Sequence, residues 1–129
     1  MTDASWDWLD RSRAILLTTY RRSGDPVSTP VGFGTDGEWL YFMTDPDSGK
    51  VKRLRRDPRV AVAPCTLSGR VRGPSVTARA RPIAGAAAEE ARQLITSRNR
   101  LAWFFLLRKA RRQGRSWVVY AVTRGEEAA

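Results

Sequence analysis

The residues best suited to chemistry in this chain lie in one stretch, Asp45-Pro46-Asp47-Ser48-Gly49-Lys50-Val51-Lys52-Arg53-Leu54-Arg55-Arg56-Asp57-Pro58-Arg59-Val60. Ser48 stands where a helix N-cap is wanted, because its hydroxyl can accept from first-turn N–H groups that have no partner inside the helix. Lys50, Lys52 and Arg53 then fall in the first turns, where the macrodipole is already positive and acidic residues are favoured. Two readings fit this pattern. One is a phosphate or carboxylate site on free N–H groups flanked by cations; the other is a basic helix face shown to water.

The rest of the composition narrows the chemistry. The chain has no histidine and a single cysteine, Cys65. This excludes Ser-His-Asp and Cys-His nucleophiles, an intrachain disulfide, and the histidine and cysteine metal sites. Cys65 has nothing beside it except general positive charge and reads as a packing residue. An enzyme built from these residues needs a cofactor to carry the reaction. The formal net charge of +10 points to an anionic partner: a nucleic acid, an acidic membrane surface or a small ligand rich in phosphates and carboxylates.

The elements that must position these residues read as a mainly β domain spanning residues 1–129. Residues 2–13, with Trp6, Trp8 and Leu9, suggest a short N-terminal helix. Residues 14–20 are short, apolar and rich in β-formers, hence a buried strand. Residues 27–33 form a second strand, and Asp36-Gly37 turns it into a third at 39–44. Pro30 cannot donate to a ladder and Gly32 has no side chain, which suggests an edge, a bulge or a flat ligand against the backbone. Residues 59–66 and 75–83 supply two more strands. In the second, Val76, Ala78 and Ala80 alternate with Thr77, Arg79 and Arg81, giving one apolar and one cationic face. Residues 86–97 and 100–112 read as one long or broken helix, and 116–123 as the closing strand. Six short strands with hairpin connections predict a six-stranded antiparallel barrel with flanking helices, and no Gly-x-Gly-x-x-Gly turn supports a dinucleotide fold.

The order of Thr18-Thr19, Pro26-Val27-Ser28-Thr29-Pro30-Val31, Asp36-Gly37, Ser48-Gly49-Lys50-Val51-Lys52-Arg53-Leu54, Asp57-Pro58-Arg59-Val60 and Gly73-Pro74 resembles the pyridoxamine 5'-phosphate oxidase-like split β-barrel superfamily, whose barrels are of the FMN-binding type. Within it the chain is similar to the actinobacterial flavin/deazaflavin oxidoreductases that use coenzyme F420. The match is good over residues 13–83 and topological beyond. The resemblance implies a homodimer with two cofactor sites between protomers. In it, Lys50, Lys52 and Arg53 hold the cofactor phosphate and Ser48 and Gly49 shape the turn. Pro30, Val31, Gly32 and Phe33, with Phe42, Met43 and Thr44, line the ring. The chain lacks the C-terminal arginine and histidine pair of the oxidases proper, so vitamin B6 oxidation is not expected.

The resulting expectation is an F420-dependent oxidoreductase that passes hydride to an unsaturated small-molecule substrate, its proton coming from water, Tyr41 or the substrate. The alternatives are an FMN-binding, flavin reductase-like protein and a non-catalytic F420 or FMN carrier. Nucleic-acid binding is the remote alternative, since no helix-turn-helix, RNP-type or zinc-finger pattern accompanies the charge. Homodimerisation is also suggested by residues 117–122, which are apolar on both faces of the last strand. The cation-rich segment 101–115 has no acid, and is expected either to rim the cofactor groove at a dimer edge or to associate weakly with anionic membrane. No signal peptide and no apolar run of about 20 residues is evident, so a cytoplasmic location is expected.

Overall fold

The computed structural model describes residues 5–114 and 116–124. Seven strands, β1 Ala14–Tyr20, β2 Pro26–Val31, β3 Phe33–Asp36, β4 Trp39–Thr44, β5 Arg59–Cys65, β6 Val76–Ile83 and β7 Val118–Thr123, form one sheet with α1 Gly49–Arg56, α2 Gly85–Ser97 and α3 Arg100–Arg112 around it. The hydrogen-bonded order is β2-β1-β5-β6-β7-β4-β3, and every pairing is antiparallel. β2 and β3 therefore stand at opposite edges of the sheet, yet only Gly32 separates them in sequence. Two chain steps span about 7 Å at most, so the two edges must meet. The sheet rolls into a barrel whose seam is the chain itself crossing at Gly32, with no ladder between β2 and β3.

This agrees with the expected mainly β antiparallel barrel and flanking helices. It differs in count, because the strand expected at 27–33 is cut at Gly32 into β2 and the start of β3. The turn after β3 is a two-residue loop of Gly37 and Glu38, with Asp36 paired to Trp39 and Gly37 at φ +62°.

Strand alternation fills the barrel. Ile15, Leu17, Val60, Val62, Ala78, Ala80, Tyr120 and Val122 point inward with Phe33, Leu40 and Phe42, and Val51 and Leu54 of α1 plug one end. Arg79 and Arg81 point outward as their alternation predicts, and the Arg81 guanidinium lies 5.4 Å from the Trp39 ring centre. A second apolar layer forms outside the barrel, where Ala88, Ala91 and Ile95 of α2 and Trp103 of α3 cover Met43 and Val119. Their i, i+3, i+7 spacing on α2 gives that helix a single apolar stripe. Both faces of β7 are thus covered within one chain, by the barrel core and by the helices, so this strand does not call for a partner.

The N-terminal helix expected at 2–13 is, among the described residues, a single 3-10 turn at Asp7–Leu9; residues 2–4 lie outside them. Packing decides its form. Trp6 and Leu9 are fully buried, the Trp6 backbone N–H donates to Gly37 O at 3.1 Å, and its indole N–H donates to Glu38 O at 3.0 Å. Seating Trp6 against the β3–β4 turn fixes a chain path that a longer helix would not follow.

The helical layer approaches the sheet backbone closely at Gly34. A Cβ there would lie 2.7 Å from the Leu94 carbonyl carbon and 2.8 Å from the Ile95 nitrogen, so α2 would have to move. At Gly49 a Cβ would meet only the terminal guanidinium of Arg53. Gly34→Ala should lower unfolding stability by about 1 to 3 kcal/mol, as overpacking against backbone does, while Gly49→Ala should change it by less than about 0.5 kcal/mol. Urea denaturation of the two variants beside the parent checks the contrast.

Candidate functional site

The seam at Gly32, the end of β4, the start of α1 and the α2–α3 junction converge on a cleft of about 290 Å³. Pro30, Val31, Gly32 and Phe33 form one wall, and Met43, Thr44 and Lys50 another. Trp103 and Leu106 of α3 close it from above, with Trp117 edge-on to Trp103 at 5.5 Å between ring centres. Strand parity separates Met43 from Phe42 on β4, and Thr44 reaches the cleft at the strand end. Met43 points outward under the helices, whereas its neighbour Phe42 points into the barrel and stacks on Tyr120 at 5.1 Å.

The indole of Trp103 lies flat where Gly32 leaves room. A Cβ on Gly32 would stand 2.7 Å from Trp103 Cζ2 and 3.3 Å from Nε1. The absence of a side chain at position 32 is therefore explained first by a ring of the same chain, and the cleft lies beside that contact.

The charge balance of the cleft is one-sided. Arg13, Lys50 and Arg98 line it, and among the described residues no aspartate or glutamate does. Arg98 donates to Asp10 O at 2.8 Å and Ser12 O at 2.9 Å, and its guanidinium lies 4.3 Å from the Phe33 ring centre. Those carbonyls fix its position without cancelling its charge. Lys50 is half-buried at the head of α1, and its pKa is depressed below the usual lysine value, first by burial and then by repulsion from Arg53. A desolvated ammonium beside other cations is stabilised by an anion, and the donor set of the cleft supplies only positive partners for one. Apolar walls with a few convergent polar groups also suit a flat ring.

Of the residues singled out from the sequence, Pro30, Val31, Gly32, Phe33, Met43, Thr44 and Lys50 come together in this cleft. The others take different places. Phe42 is fully buried in the core, which corrects its expected place beside the ring. Lys52 is exposed, two residues further round α1, and does not line the cleft. Arg53 also turns away: its Nε donates to Thr19 Oγ1 at 2.6 Å and its guanidinium lies over Gly49. Ser48 occupies the N-cap position, but its hydroxyl pairs with Thr44 Oγ1 at 3.2 Å instead of capping the helix. That bond ties the end of β4 to the start of α1 and so places Thr44 and Lys50 side by side. Tyr41 opens onto a separate hollow with Asp36 and Glu90, so it is not the cleft's proton donor. Cys65 is buried and its thiol pKa is raised by burial, as a packing residue requires.

Sequence reasoning missed Arg13, Arg98, Asn99, Trp103 and Trp117. Each lies on an element whose approach to β2 is set by long-range packing, and the one local signal was the mutual need of a bare Gly32 and a large ring. Arg13 also borders a neighbouring hollow lined by Trp8, Arg11 and Arg72, so the cationic surface continues beyond the cleft.

No curated protein matches the sequence. Several solved structures share the fold. A conserved hypothetical protein of Mycobacterium tuberculosis is 20% identical, with a TM-score of 0.67 over 93% of this chain and 78% of that one. An FAD-binding protein of Mesorhizobium loti is 17% identical, with a TM-score of 0.60 over 88% and 80%. A heme-binding protein of Mycobacterium smegmatis is 19% identical, with a TM-score of 0.64 over 98% of this chain and 52% of that one. At these identities the likeness concerns the fold. The sequence itself goes further: the model of the pyridoxamine 5'-phosphate oxidase family matches residues 1–128, and a match over that length makes this chain a member of that family.

Proposed function

We propose that the cleft holds coenzyme F420 and that the protein is an oxidoreductase acting on an unsaturated organic acceptor. The observation that carries this reading is the cation set of Arg13, Lys50 and Arg98, with no acid beside it among the described residues, around an apolar slot and continued by Arg11 and Arg72 outside it. F420 bears a phosphodiester and a carboxylate tail along an extended chain, whereas FMN, the alternative cofactor, ends in one phosphate. A cationic path longer than a single phosphate favours the first. The bound deazaflavin would supply or accept the hydride. Within the protein, Lys50 holds the phosphate, Thr44 orients it beside the β4 end, and Val31, Met43 and Trp103 position the ring and exclude water. Lys52 and Arg53 act on the anion only through their longer-range field.

The heme-binding neighbour suggests a rival ligand. The 129 residues contain no histidine and their one cysteine is buried outside the cleft, so the cleft offers a heme neither a histidine nor a thiolate axial ligand. FMN is the alternative worth measuring, and a carrier without turnover would bind the same cofactor but reduce no acceptor.

The working form is proposed to be a cytoplasmic homodimer. α2 and α3 cover β4 and β7, while the outward face of β1 and β2 keeps the half-buried Leu16 beside the exposed Pro30, a small apolar patch open to a second copy. Light scattering at micromolar protein should give twice the chain mass. A monomer with and without cofactor would remove this part of the reading.

Parallel titrations of the purified protein with F420 and FMN should give tighter, more salt-dependent binding of F420, because exposed tail contacts are screened over about 8 to 10 Å at ordinary ionic strength. Equal affinities would sink the cofactor assignment. Lys50→Ala should weaken F420 binding by about 2 to 5 kcal/mol, the usual cost of removing one partner of an enclosed charge pair. Lys52→Ala should weaken it by less than about 1 kcal/mol.

The pH dependence follows from the sign of the Lys50 shift. Anion binding needs the charged ammonium, whose pKa in the free protein is already depressed by burial and by Arg53. Affinity should hold at lower pH and fall as pH rises through that depressed value, before an ordinary lysine would lose its proton. In Lys50→Arg the alkaline fall should disappear, since a guanidinium keeps its charge throughout this range. An unchanged alkaline fall in that variant would show that another group titrates.

A further inference from the structure

The basic residues of α3 do not rim the cleft. Of this helix only Ala102, Trp103 and Leu106 line it, and Arg108, Lys109, Arg111 and Arg112 point elsewhere. The inner face of α3 is complete without them: Trp103 and Ala110 are buried, and Leu107 packs on the outer apolar layer. What remains is a second face that the fold does not use. Leu101, Phe104 and Phe105, at i, i+3 and i+4, project on the side opposite Trp103 and Ala110, and are 70%, 57% and 59% exposed. The two phenyl rings lie edge to face at 5.4 Å. The next turns of the same face carry Arg108 and Arg112, with Lys109 and Arg111 at its margins, and all four are exposed.

Apolar rings in the first turns followed by cations in the last, with no acid between positions 91 and 125, match the chemistry of one surface in particular. We propose that the outer face of α3 docks on an anionic phospholipid bilayer. Leu101, Phe104 and Phe105 enter the boundary between headgroups and acyl chains, and the four cations meet lipid phosphates. Two shallow hollows on this face each set a phenyl ring beside arginines, one with Phe105, Arg108, Lys109 and Arg112 and the other with Phe104, Arg108 and Arg111. Each offers apolar and phosphate-binding groups side by side. A second copy of this chain is the poorer occupant, because a self-complementary interface here brings cations together with no carboxylate to separate them. Nucleic acid would satisfy the cations but leave the aliphatic Leu101 without a role. The exposed Leu106 and Leu67 stand at the mouth of the cleft, so the docked face lies next to the cleft opening whichever cofactor the cleft holds.

Co-sedimentation of the full chain with vesicles tests this at physiological salt. Phosphatidylcholine vesicles containing phosphatidylglycerol should pellet the protein, and pure phosphatidylcholine vesicles should leave it in solution. Phe104→Ser with Phe105→Ser should lower partitioning more than tenfold with no change of charge. Replacing Arg108, Lys109, Arg111 and Arg112 by glutamine should lower it by about a hundredfold or more, since each basic residue near an anionic surface is worth roughly fivefold. These side chains are exposed, so thermal unfolding should stay at the parent's temperature; if the double variant unfolds, Phe105→Ser alone serves in its place. Failure of both vesicle types to bind, equal binding to neutral vesicles, an undiminished affinity in the phenylalanine variants, or retention of an oligonucleotide in preference to vesicles would each overturn the proposal.

Discussion

Everything near the cleft depends on one constraint, the passage of the chain from one edge of the sheet to the other across Gly32. Two strands that pair with different neighbours are joined there by a single residue, which forces the sheet to close without a ladder at the seam. An open seam leaves backbone accessible from outside the barrel, and a side chain at 32 would obstruct what covers it. Trp103 covers it, with a ring carbon 2.7 Å from where a Cβ would stand. Thus a backbone requirement of the barrel draws α3 over the seam, and the uncovered remainder of the seam becomes the cleft.

The polar side of the cleft follows from a second, shorter chain of causes. β4 delivers Thr44 at its end, the Thr44–Ser48 hydroxyl pair carries the chain into α1, and Val51 and Leu54 anchor α1 in the barrel mouth. Lys50 is then held on the cleft side of α1 while Arg53 is drawn back by Thr19. The hydroxyl of Ser48 is turned to Thr44 and makes no capping bond, so first-turn N–H groups of α1 are left without a side-chain cap, which adds to the positive character already supplied by Lys50.

The strands and helices are legible in the sequence because their signals are local: alternation in β5, β6 and β7, a turn glycine after β3, helix formers in α2. The half of the site built from β2, β4 and α1 is legible for the same reason. What is not legible is side-chain direction where packing chooses between faces. Phe42 and Met43 are adjacent and equally suited to line a ring, and only the placement of α2 and α3 outside β4 decides that Met43 faces the cleft. Lys50, Lys52 and Arg53 are likewise equivalent as cations, until the seating of Val51 and Leu54 rotates one toward the cleft and the others away. The apolar residues of β7 suggested an interface between chains, because nothing local shows that α2 returns to cover them.

The two walls of the cleft differ in how they are held, and this bears on how a ligand enters. The β2, β3 and β4 side is secured by backbone ladders over a packed core, where opening exposes many buried groups at once. α3 is 13 residues long, a length at which an isolated helix is marginal in water. Its hold on the protein comes from Trp103, Leu107 and Ala110 on one face, since among the described residues nothing packs on its other face. Local opening follows the element with the fewest buried contacts. α3 is therefore the wall with the weaker hold, while the strand wall and Lys50 are fixed by the ladders and by the seating of α1. A surface covering the outer face of α3 would add support to that wall from behind.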